Sequence, residues 1–224
     1  MQVQTSFTGF EGLLLGGHGI QMDAMKFFQL SAGTWRSQRT THHLAFRRAE
    51  MGESEIQVEP LAADHPDVIE LCKLHEIEPG LAIGGAHVRW HGSMDWDRED
   101  DEPHAGETVF ALVPDEGNSQ QGKILRERGY AEIVPVVGRY FIDGEGGLVM
   151  TTEYETMSSV ERFWFADPDV RLRTSTVKRF GGFSTASFCA ETRMGKAANT
   201  DAEAKVAGAL VSSGSQSSFS LLGW

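Results

Sequence analysis

Val170-Arg171-Leu172-Arg173-Thr174-Ser175-Thr176-Val177 alternates apolar and charged residues over its first half and continues in hydroxyl residues. In a strand, successive side chains point to opposite faces. Arg171, Arg173 and Ser175 therefore share one face, and Val170, Leu172 and Thr174 share the other. In a small barrel one of those faces points inward. Two arginines and a serine there would form a charged floor suited to a ligand with carboxylates, because a guanidinium grips a carboxylate with two parallel N–H donors. The same alternation describes a solvated outer face, where most charged side chains lie. Alternation alone leaves both readings open.

The flanking segments read the same way. In Val160-Glu161-Arg162-Phe163-Trp164-Phe165, Glu161 joins Phe163 and Phe165, while Arg162 and Trp164 take the opposite face. An acid among aromatics is suited to proton donation, since desolvation favours a neutral carboxyl. A surface glutamate beside core aromatics gives the same pattern. Residues 183–194 put Thr185, Ser187, Cys189, Glu191 and Arg193 on one face. Glu191 is a second candidate acid, or else an ordinary cross-strand partner of an arginine. Further strands are expected near 82–91, 107–113, 131–142 and 147–155, separated by Gly-rich or acidic turns. Upstream, Trp35 to Phe46 and the alternating Glu53 to Glu59 read as a hairpin turned at Met51-Gly52. About nine strands at regular spacing indicate an all-β antiparallel sandwich or closed barrel.

Two helices interrupt this pattern. Residues 22–32 have near-helical apolar spacing and stop at Gly33. A second helix is expected with Asp64 as cap, Pro66 in its first turn, and Val68, Leu71, Cys72 and His75 on one face. Without alternating helices, a parallel α/β sheet is not expected. Residues 1–21 are Gly-rich and nearly uncharged and read as a misassigned or disordered N-terminal extension before Met22. Residues 22–194 read as the folded unit, and 195–224 as a flexible tail whose apolar end, Phe219 to Trp224, docks.

Composition narrows the function. The chain has 224 residues, with 20 Lys+Arg against 32 Asp+Glu, a net charge of -12. That is about one domain. The acidic balance argues against nonspecific nucleic-acid binding, which needs a basic surplus. No apolar run nears the roughly 20 residues that span a bilayer as a helix. The two cysteines, Cys72 and Cys189, support neither a disulfide framework nor a zinc cage, and point to a reducing intracellular compartment. Both read as packing thiols, although Cys189 falls on a polar face. Trp90 and Trp96 bracket a loop, where indoles cover a flat conjugated ligand or serve as rim or core aromatics. His42 and His43 are adjacent and point to opposite faces, which disfavours a metal pair. Nucleotide, nucleophile-elbow and zincin motifs are missing.

Four stretches taken together carry a resemblance. They are residues 27–44 (FFQLSAGTWRSQRTTHHL), 171–177 (RLRTSTV), 179–184 (RFGGFS) and 187–191 (SFCAE). The chain resembles the S-type phycobiliprotein lyases, the CpcS/CpeS chromophore lyases of cyanobacteria and related algae, from about Met22 to Met194. The resemblance implies a ten-stranded antiparallel barrel of the lipocalin or fatty-acid-binding type with an N-terminal helix. It implies uptake of a free linear tetrapyrrole, phycocyanobilin or phycoerythrobilin, and thioether attachment to a cysteine of a phycobiliprotein apo-subunit, alpha or beta. The nucleophilic cysteine then belongs to the acceptor. It implies that Arg171 and Arg173 take the bilin propionates and that Ser175 is a pocket hydroxyl. Glu161 and Glu191 hydrogen-bond pyrrole N–H groups or protonate the bilin, and Trp90 and Trp96 line the pocket. No prosthetic group, nucleic acid or membrane insertion is expected. A related lyase subunit or self-association is a further partner, in the cytoplasm or an algal plastid stroma. Two alternatives share these features: a non-catalytic tetrapyrrole or fatty-acid carrier, and a chaperone of phycobilisome subunits.

Overall fold

The computed structural model describes residues 22–94, 104–127, 135–179 and 182–195. The expectations for residues 1–21, for Trp96 and for the tail beyond Gly195 lie outside these residues.

Ten strands form a closed antiparallel barrel. They are β1 (Gly33–His43), β2 (Arg48–Leu61), β3 (Gly84–Met94), β4 (His104–Asp115), β5 (Asn118–Arg126), β6 (Val136–Ile142), β7 (Leu148–Glu153), β8 (Met157–Asp167), β9 (Val170–Arg179) and β10 (Gly182–Arg193). Each strand pairs with its neighbour in sequence, and β10 closes onto β1. Closure leaves no unpaired sheet edge. It also gives every strand an inner and an outer face, which is why period two runs through most of the chain.

Helix α1 (Ala24–Leu30) closes one end. The Asp23 carboxylate caps it by accepting from the Lys26 amide at 2.7 Å. Gly33, at φ +113°, lies in the left-handed region and lets the chain turn directly into β1. Phe27 and Phe28 enter the barrel core with Trp35, Phe110 and Tyr140. Two side chains hold the helix C-terminus, and the first, Arg193, donates to the carbonyls of Ala32 and Leu30. Its guanidinium also lies 4.2 Å from the Trp35 ring, whose Nε1–H donates to Ser31 O at 2.8 Å. A cation at a helix C-terminus satisfies the last carbonyls and the dipole together.

Helix α2 (Pro66–Leu74) lies in the β2–β3 connection and packs outside the barrel. Its cap is His65, whose Nδ1 accepts from the Asp67 amide, and not the expected Asp64. Val68, Leu71 and Cys72 meet Ala111, Val113 and Leu125 from the outer faces of β4 and β5 in a second small core. The hairpin expected at Met51-Gly52 is also displaced. The corner is a single 3-10 turn, Leu44–Phe46, followed by Arg47 in the left-handed region, and Gly52 sits buried within β2 opposite Arg39. Glycine in that strand leaves inner space instead of marking a turn.

Candidate functional site

The inner faces stack in layers set by the register. Ser37, Glu191, Arg171 and Phe165 form one layer; Arg39, Cys189, Arg173 and Phe163 the next; Thr41, Ser187, Ser175 and Glu161 the third. The arginine face of β9 therefore points inward. The layers surround a cavity of about 370 Å³, within the range of small-molecule sites. Apolar residues from α1, β2, β3 and β4 line one wall, including Phe28, Ile56, Val88, Trp90 and Phe110. Most of the polar groups gather on the opposite wall (Arg39, Glu161, Arg171, Arg173, Ser175, Ser187 and Cys189), with Ser54 and Thr108 on the apolar side. A second cavity, of about 460 Å³, continues toward the barrel mouth and shares Glu161 and Ser175 with the first. Those two residues stand where the inner chamber meets the entrance.

The two β9 arginines sit in different electrostatic surroundings. Arg171 is buried, and its Nε donates to Glu191 Oε2 at 2.6 Å. Its guanidinium lies 4.7 Å from the Trp35 ring. Burial pulls its pKa below the ordinary arginine value, against the attraction of Glu191. Glu191 is fully buried and is not among the cavity-lining side chains. The pair thus forms a self-compensated floor, and the carboxylate that meets Arg171 is the protein's own. Arg173 is one layer nearer the mouth. Its closest carboxylate oxygens, on Glu161 and Glu191, are each 3.9 Å away, too far for a good hydrogen bond. Its guanidinium instead contacts the Cys189 thiol at 3.3–3.4 Å and lies 5.4 Å from the Phe163 ring. Burial works against its charge, but Cys189, Glu191 and Glu161 outweigh that and raise its pKa above the ordinary value. Arg173 is a partly exposed cation facing the chamber, held in place but not neutralised.

Of the residues singled out in the sequence, Glu161, Arg171, Arg173, Ser175 and Trp90 meet at this cavity. Trp90 lies directly against Gly106 on the facing strand. A Cβ at position 106 would come within 2.6 Å of the indole, so glycine is what allows the ring to lie flat on β4. Sequence reading overlooked Arg39. It pairs with Cys189 across β1–β10 and lines the chamber at the level of Arg173. The signal was present, since Trp35, Ser37, Arg39 and Thr41 alternate along one strand.

Residues 23–194 match the family model described as CpeS-like protein. The chain belongs to the CpeS-like family. A chromophore lyase CpcS/CpeS 2 of Synechocystis sp. is 66% identical over 173 residues, covering 77% of this chain and 90% of the relative. A phycocyanobilin lyase subunit CpcS of Picosynechococcus sp. is 64% identical over 172 residues, covering 77% and 86%. Among solved structures, the S-type phycobiliprotein lyase CpeS from Guillardia theta superposes with a TM-score of 0.68 at 35% identity, covering 79% of this chain and 95% of that one. The ten-stranded barrel is thus the fold of a CpeS-type lyase, and the match extends over the segment that builds the chamber.

Proposed function

We propose that the chamber receives a linear tetrapyrrole through the barrel mouth and presents it to the thiol of a phycobiliprotein subunit. The chain is a chromophore lyase of the CpcS/CpeS type, and bilin attachment to phycobiliproteins is its activity. The finer assignment to residues rests mainly on one observation: Arg173 is a chamber-facing cation without a close carboxylate partner. In this reading Arg173 takes one bilin propionate and Arg39, at the same level, takes the other. Arg171 backs them from the floor, neutralised by Glu191. Ser175 offers a hydroxyl, and Trp90 covers the conjugated rings. Trp96 is the expected companion of Trp90. Phycocyanobilin or phycoerythrobilin is a substrate and leaves covalently attached to the acceptor.

Glu161 is the proposed proton donor. It lines both cavities, so a bound bilin passing from chamber to mouth runs beside it. Protonating the bilin makes its ethylidene carbon more electrophilic. The acceptor thiolate forms the C–S bond as the double bond opens, and the conjugated system keeps the proton. Holding one conformation of a flexible chromophore is the larger part of such catalysis, since it replaces an encounter by an oriented contact.

The deciding experiment mixes the protein with free phycocyanobilin and apo-subunits of phycocyanin or allophycocyanin, with phycoerythrobilin and phycoerythrin subunits in parallel. Zinc-enhanced fluorescence on a denaturing gel, above a control without the protein, is the expected result. A bilin spectral shift without covalent product would instead identify a carrier, and subunit binding without pigment uptake a chaperone.

Two variants test the residue roles. Glu161→Gln is expected to lower the transfer rate about a hundredfold while leaving bilin uptake within a few fold. Equal losses in both would make Glu161 a positioning group. Gly106→Val is expected to tilt Trp90, weaken uptake roughly three- to tenfold and shift the bound pigment's absorption. An unchanged spectrum would remove Trp90 from the ligand.

Cytoplasm, or plastid stroma in an alga, is the proposed location. No helix among the described residues is long and apolar enough to cross a membrane. A related lyase subunit or a second copy remains a proposed partner.

A further inference from the structure

We infer that one side of the barrel mouth is the docking surface for the acceptor protein, and that it recognises an acidic patch beside the acceptor's cysteine. The inference rests on the bilin-transfer reading above and adds the place and chemistry of the encounter.

The first argument is access. One end of the barrel is filled by α1, and the strand ladder is closed all round. The second cavity runs to the other end, so a foreign thiol reaches a bound ligand from that side. The acceptor must therefore rest on the corners that surround the mouth.

The second argument is the chemistry of those corners. The β1–β2 corner carries Phe46, Arg47 and Arg48, all exposed; the β9–β10 hairpin carries Lys178, Arg179 and Phe183, also exposed. Phe46 is 76% exposed, the highest among the large apolar side chains described, yet it also lines the mouth cavity together with Arg179. Lys178 lies 4.7 Å from the Phe183 ring. Arg47, Arg48 and Arg179 have no ion-pair partner among the described residues, and Glu50 on the same corner is already paired with His43 at 2.8 Å. Acids Glu153 and Glu155 sit on the β7–β8 corner, so the cationic side spans β9, β10, β1 and β2. Four cations so placed on a chain of net charge -12 are a local reversal of sign. Two exposed aromatics supply burial and the cations supply orientation, the usual division between the core and rim of an interface. A negatively charged partner is repelled by the rest of the molecule and drawn to this side, which aligns its cysteine with the mouth.

The test compares wild type with Arg47→Glu/Arg48→Glu and, separately, Phe183→Ser, since Phe183 lies on the rim but lines neither cavity. A control with the same charge change, Lys73→Glu/Lys123→Glu, lies away from the mouth. Phycocyanobilin uptake is read by absorbance, and transfer by initial rate against apo-phycocyanin subunit concentration. The rim variants are expected to take up bilin as wild type does while their KM for the apo-subunit rises about tenfold or more, with kcat preserved at saturation. The control should follow wild type, and raising the salt should weaken wild type toward the charge-reversed variant. Acceptor dependence unchanged in both rim variants would overturn the inference. So would loss of bilin uptake in them, which would assign the rim to the ligand. Wild type that takes up no bilin would sink the underlying transfer reading instead.

Discussion

Arg173→Ala should raise the dissociation constant for free bilin roughly 10- to 100-fold, the range of one charge-assisted hydrogen-bonded contact. Arg39→Ala should act in the same direction. The expectation follows from the contrast within β9. Arg173 faces the chamber with its nearest carboxylate oxygens 3.9 Å away, whereas Arg171 already holds Glu191 at 2.6 Å. Alanine at 173 removes a cation the ligand is meant to use and leaves no buried carboxylate stripped of its main partner. Titration of phycocyanobilin against each variant, followed by absorbance, measures the effect. Arg36→Ala is the reference, since Arg36 sits on the outer face of β1 with Glu53 and should change nothing. A bilin esterified at both propionates should bind wild type as weakly as it binds Arg173→Ala. If the ester and the free acid bind alike, the propionates are held elsewhere and the assignment is wrong.

The legible part of this molecule is the part where one face of a strand is polar and the other apolar. β9 and β10 come closest to such strands, and alternation sorts their side chains into two sets that the register keeps together. β5 fails that condition twice. Its first half, from Asn118 to Lys123, is polar or glycine throughout, and its second half buries both Ile124 inside the barrel and Leu125 under α2. No period survives, although Gly117 at φ +73° after Glu116 was an available turn signal. Gly52 misled for a related reason. Glycine marks turns in open sequence, but inside a barrel it also makes room. The site shows the same boundary. Which face of β9 is inward was left open by alternation and rested on family resemblance, and the barrel register now settles it. The division of labour between Arg171 and Arg173 was not legible. It depends on Glu191 standing opposite Arg171 across β9–β10, a pairing between residues twenty positions apart that only register reveals.

Glu191→Ala should destabilise the fold by about 3–5 kcal/mol, the cost of stripping a buried guanidinium of its partner. For a domain of this size that corresponds to a fall in Tm of roughly 6–20 °C. The pair is enclosed: Glu191 is 0% exposed, and Arg171 is packed against Trp35, which in turn supports Arg193 and the end of α1. Losing the carboxylate therefore loosens the plug as well as the floor. The paired replacement Arg171→Met/Glu191→Leu separates charge from packing. It removes both ions and fills their volume, and should recover stability to within about 1–2 kcal/mol of wild type. Bilin affinity distinguishes the consequences for the site. If the floor only supports the fold, the double variant binds bilin as wild type does. If the Glu191 carboxylate also orients Arg173 from 3.9 Å, the double variant is stable yet binds several-fold more weakly. Thermal melts of the three proteins, each followed by bilin titration below its own transition, read out both answers. A single variant with an unchanged melt would mean that the buried pair contributes nothing to stability, against the geometry that encloses it.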